Sequence, residues 1–98
     1  MFRREALETT LRVLAPRIPR HEFEAVVDHA LRSPGLRNAS PETGVWLSMV
    51  AYIRHTFTEY DSLLDDGYDH ESARHFVLDD INEVLEGWGS PRRVEGME

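Results

Sequence analysis

The stretch RHTFTEYDSLL, residues 54–64, brings Arg54, His55, Thr58, Tyr60 and Asp61 together within a few turns. An imidazole that titrates near neutrality, a carboxylate, a phenol and a guanidinium are the side chains of acid–base and metal chemistry. Helical geometry tests whether they meet. At ~100° per residue, Ile53, Phe57, Tyr60 and Leu64 share one apolar face. Arg54, Thr58 and Asp61 run along its flank, and His55, Glu59 and Ser62 form a separate outward row. On a continuous helix, His55 and Asp61 point in different directions, which rules out a His–Asp pair. Asp61 is instead placed to meet Arg74 of the next helix. Such a half-exposed bridge contributes only about 0–1 kcal/mol, so its role would be packing register. Tyr60 would bury its ring and direct its hydroxyl to a polar partner.

Other chemistries find less support. A metal site would draw on His29, His55, His70 and His75 with Asp61, Asp79 and Asp80; His29 and His55 with Asp61 is the sharpest choice. No ligand-spaced motif such as HExxH is present, and His70 and His75 lack the spacing that stacks two ligands on one helical face. Asp79 and Asp80 are neighbours whose side chains diverge by ~100°, so they make no carboxylate pair for proton transfer. Asp65-Asp66 reads as solvated charge in a turn. Nucleophile elbows and glycine-rich phosphate loops are absent. The sequence therefore predicts no catalytic residue and no cofactor.

Composition narrows the classes further. The 98 residues suit one small domain, and 41% hydrophobic with 30% charged residues suits a globular chain. No apolar run reaches the ~20 residues of a membrane helix, and the first residues lack the apolar run of a signal peptide. With no cysteine, disulfides and thiolate chemistry are excluded, and a cytoplasmic location is the expectation. All 11 basic residues are arginines. The net charge of −7 is uneven, since residues 59–98 hold most of the carboxylates. That argues against a uniformly basic nucleic-acid binder. A local basic face from Arg12, Arg17, Arg20, Arg32 and Arg37 is the alternative. The acidic half would suit a basic partner or solubility.

The elements that must position these residues are helical. Leu7, Leu11 and Leu14 make a stripe from Phe2 to Ala15, ended by Pro16 and Pro19. RHEFEAVVDHALR forms a second helix at about residues 20–32, followed by the loop SPGLRNAS. Ser40 caps a third helix with Pro41 in its first turn. Trp46, Met49, Val50, Ile53, Phe57, Tyr60 and Leu64 carry that helix to Leu64, a length of roughly 35 Å. Gly67 ends it and Asp69 caps a fourth helix over about residues 70–87, lined by Ala73, Val77, Ile81, Val84 and Trp88. Phe76, Leu78 and Leu85 widen that stripe. The expectation is an all-α, compact four-helix domain over residues 1–88, with a long central third helix and an antiparallel hairpin of helices three and four. Residues 89–98 read as a flexible tail.

Residues 51–88 resemble the domain of unknown function 2293 family, found in bacteria and fungi. The resemblance rests on Arg54-His55, Thr58, Tyr60-Asp61, Leu63-Leu64, Ala73-Arg74, Val84-Leu85 and Trp88, with His29-Ala30 upstream. It covers roughly residues 16–88. Tyr52 departs from a His common in the family, and SPGLRNAS departs from a Gly- and Arg-rich loop. The resemblance implies no activity. The resulting expectation is a non-enzymatic interaction or regulatory module, pairing with a second copy or another protein. Arg54, His55, Thr58, Tyr60, Asp61 and Arg74 are its candidate polar cluster.

Overall fold

Residues 2–95 are described by a computed structural model. Among them are five α-helices, one short 3-10 turn and no strand. The helices are α1 (Arg3–Leu14), α2 (Arg20–Arg32), α3 (Pro41–Phe57), α4 (Tyr60–Asp65) and α5 (His70–Gly87), with the 3-10 turn at Pro34–Leu36.

Local chemistry sets the boundaries. Ser40 accepts a hydrogen bond from the Thr43 amide at 3.2 Å, and Pro41 occupies the first turn of α3. Asp69 caps α5 through the Ser72 amide at 2.8 Å. Gly67 takes the left-handed backbone (φ 100°) in the turn between α4 and α5. Leu7, Leu11 and Leu14 of α1 are buried, as are Val26, Val27 and Ala30 of α2. Both helices pack against α3, and α5 packs against α3 and α4. One hydrophobic cluster joins all five helices.

The long third helix is not continuous. Its backbone leaves the helical region at Thr58 (φ −129°, ψ 171°) and resumes at Tyr60. The Thr58 hydroxyl explains the break. It donates to the Arg54 carbonyl and accepts from the Tyr60 amide, so it replaces the helical pairing at that point. The apolar spacing hides this, because Ile53 and Tyr60 remain buried across the break. Phe57, expected inside, is 43% exposed.

The other end of the chain turns back. Gly89 (φ 81°) ends α5, and the Ser90 amide bonds to the Leu85 carbonyl at 2.9 Å, a left-handed helix stop. The Arg17 amide donates to the Trp88 carbonyl at 2.8 Å, and the Arg17 guanidinium to the Glu86 carbonyl at 3.3 Å. The α1–α2 connector thereby satisfies carbonyls at the end of α5. Beyond Gly89 the segment read as a flexible tail is docked as far as Val94, which is 4% exposed. Residues 96–98 of that segment lie outside the described residues.

Three outcomes follow from the ends of α5. Gly89→Ala must place a Cβ in the left-handed region, 3.1 Å from the Pro16 Cγ and the Arg17 guanidinium. It should cost about 1–2 kcal/mol in chemical denaturation. Gly87→Ala, with open space around it, should instead gain about 0.5–1 kcal/mol. At the other end, the Ser72 amide holds the Asp69 carboxyl below the usual carboxylate range, its hydroxyl and the nearby His70 adding to the effect. A depressed folded-state value stabilises the protein above the ordinary carboxylate range and is lost as pH falls through the folded value. Asp69→Asn keeps an acceptor and does not titrate. The acid limb of a melting-temperature-against-pH curve should therefore be shallower in Asp69→Asn than in the native chain.

Candidate functional site

The break at Thr58 re-aims the first turn of α4. Asp61 now reaches back over the last turn of α3, and its carboxylate lies 2.8 Å from Nδ1 of His55. The sequence-based exclusion of a His–Asp pair is thus overturned. It assumed a continuous helix, and the two residues sit on either side of the interruption. Both side chains are more than half exposed, at 52% and 60%. The expected Asp61–Arg74 bridge does not form among the described residues; Asp61 pairs with His55 instead.

Tyr60 is the hub of the cluster. Its ring is buried, with His55 edge-on at 5.5 Å between centroids. The Arg54 guanidinium lies 5.4 Å from the same centroid. The Tyr60 hydroxyl meets Nδ1 of His70 at 2.8 Å, tying α4 to the first residue of α5. Burial lowers the Arg54 pKa from its ordinary value, and the charge of Arg74 lowers it further. The structure therefore assembles Arg54, His55, Thr58, Tyr60 and Asp61 and brings the charge of Arg74 to bear on Arg54. It adds His70, which the sequence suggests only as a metal-ligand candidate and not as a member of this cluster. The available signal was its position directly after the Asp69 cap, one short turn from α4.

Chemically, a neutral His55 that donates Nδ1–H to Asp61 keeps a lone pair on Nε2. That is the arrangement of an oriented base. No group of three or more His, Asp or Glu side chains is placed to hold a metal among the described residues. His29 does not join His55 and Asp61. It lines a separate cleft of ≈ 530 Å³ with Ala25, Asp28, Arg32 and Ser33.

The candidate nucleic-acid arginines lie at several places, two of them together. Arg12 stacks on Phe23 at 5.1 Å and shares a cleft of ≈ 420 Å³ with Arg20 and Glu24. Arg17 is committed to the end of α5, Arg32 lies beside His29, and Arg37 is exposed after the 3-10 turn. Tyr52, the departure from the family pattern, donates to Glu22 of α2 at 3.1 Å. Burial and that carboxylate push its phenol pKa up. This position links α3 to α2 and takes no part in the His55 pair. A further exposed feature is aromatic: Phe57 lines a cleft of ≈ 360 Å³ with Asp80, Glu83 and Val84. Phe76, 59% exposed, packs edge-on to Tyr68 at 5.4 Å.

Fold and cluster together define a small all-α protein organised around an interrupted central helix. Residues 10–89 match the family described as "Uncharacterized conserved protein (DUF2293)", and the chain belongs to that family. The match spans the whole polar cluster and stops short of the docked segment at Val94. Comparison with curated proteins and with solved structures finds no significant match. Among the described residues no helix is long and apolar enough to cross a membrane.

The His55–Asp61 contact has a direct spectroscopic signature. Nitrogen-15 spectra of neutral His55 should show the proton on Nδ1 in the native chain and lose that preference in Asp61→Ala. A double-mutant cycle between the two should yield a coupling of no more than about 1 kcal/mol, as befits an exposed pair.

Proposed function

We propose that the protein is a non-enzymatic interaction module for a basic, partly apolar protein partner. The observation that carries the reading is Phe76, an aromatic side chain held in solvent on the acidic outer face of α5. Phe76, Asp80 and Glu83 repeat at helical spacing, with Asp79 beside them. Phe57 and Val84 continue the apolar surface into the adjoining cleft. An exposed aromatic anchor ringed by charge has the composition of a binding hot spot with a polar rim. The acidic balance of residues 59–98 supplies long-range attraction for a basic partner. In this reading α3, α4 and α5 act as an antiparallel scaffold that presents the face. The chain's own arginines make a second copy a candidate partner.

The test compares the native chain with a Phe76→Ser, Asp80→Arg, Glu83→Arg variant. Quantitative co-purification from the native host should show one defined basic partner, retained at low salt and weakened at high salt. The variant should lose it while keeping the native melting temperature. Equal retention by both proteins overturns the reading. Sedimentation of the two proteins distinguishes a second copy from a different partner.

A further inference from the structure

The segment after α5 is held by contacts of a kind that recognises a peptide. Asn82, buried on α5, donates from Nδ2 to the Val94 carbonyl at 3.1 Å and accepts the Val94 amide on Oδ1 at 2.8 Å. One side-chain amide thus satisfies both backbone groups of a single residue, a pairing indifferent to that residue's side chain. The Val94 side chain enters the hydrophobic cluster itself. Two residues earlier, the Arg92 guanidinium lies 4.1 Å from the centroid of the Trp46 ring of α3. The described residues from Pro91 to Glu95 adopt no helix or strand, and the Ser90 hydroxyl, bonded to the Arg92 amide and carbonyl, shapes the turn that leads into them.

We propose that Trp46 of α3 and Asn82 of α5 form a peptide-binding site for extended Arg-x-Val segments, which Arg92-Arg93-Val94 occupies in cis. The occupant in trans is a basic peptide with an arginine two residues before a β-branched apolar residue. The supporting observation is the occupant already seated there: the backbone is read by Asn82, the cation by Trp46 and the apolar side chain by the core. This site differs from the outer face of α5, since Asn82 is buried while Asp79, Asp80 and Glu83 are exposed. It does not depend on the reading of that face. The short link from Gly89 gives the cis segment an effective concentration in the millimolar range, so it competes with any peptide in solution. Release of the segment is what opens the site.

The test uses the full chain and a labelled synthetic peptide, GSPRRVE, which repeats residues 89–95. Val94→Asp places a charge where the valine side chain is buried and should undock the cis segment. Fluorescence anisotropy should then show the peptide binding at least about tenfold more tightly to V94D than to the native chain. Adding Asn82→Leu to V94D should abolish that binding, and a peptide with Asp in place of its valine should not bind either. If V94D does not melt cooperatively, the same comparison is made with Arg92→Ala combined with Val94→Ala, which weakens the cis segment and leaves Trp46 and Asn82 intact. A folded, undocked variant that binds GSPRRVE no better than the native chain overturns the proposal. So does binding that is indifferent to the valine or to Asn82.

Discussion

The buried residues of α3 are Gly44, Val45, Trp46, Ser48, Met49, Val50 and Ile53. At ~100° per residue they cover an arc of roughly 240°, more than twice the stripe an ordinary surface helix buries. No single neighbour can cover such an arc, so α3 must be enclosed from several sides. α1 and α2 supply part of the cover, α4 and α5 supply more, and Arg92 of the segment after α5 lies over Trp46. Polar links between elements follow the same geometry. Tyr52 reaches Glu22 on α2, and Arg4 joins α1 to Asp28 of α2 at 2.6 Å.

That enclosure ends where Thr58 intervenes. A threonine hydroxyl that takes over the pairing of its own backbone competes with helix continuation, and here it prevails. The interruption turns a row of residues facing apart into a cluster around Tyr60. His55, Arg54 and His70 all lie close to the same ring. Because Tyr60 is buried, the cluster is fixed to the core while His55 and Asp61 stay in solvent. A single residue between helices therefore determines which side chains meet.

The fold was largely legible because its signals were local. Ser40-Pro41, Gly67 and Asp69 mark helix ends through chemistry that acts within a few residues, and each does so where expected. The leucine stripe of α1 and the apolar face of α2 are equally local patterns. Thr58 does not stand out as a helix break because a single threonine lowers helix propensity only slightly and the hydrophobic spacing continues past it. The cluster was half legible for the same reason. Its members were recognisable, while the pairing of His55 with Asp61 depended on the break. Asn82 gave a weak signal, a polar side chain next to Ile81 on the inward face of α5. Its partner Val94 lay in a segment with no periodicity to suggest packing.

The contact between Arg17 and the end of α5 bears on how the chain folds. Its guanidinium bonds to the Glu86 carbonyl, 69 residues away in sequence. Forming it closes most of the polypeptide into one ring, an entropic cost that grows slowly with ring size. Once made, it ties the first helices to the last, so fraying at the end of α5 must also loosen the α1–α2 connector. The expected behaviour is a coupled opening of both regions in hydrogen exchange, in place of independent release of either terminus. Long-range closure of this kind also raises the contact order of an all-helical chain, which slows its folding relative to a bundle joined only by neighbours.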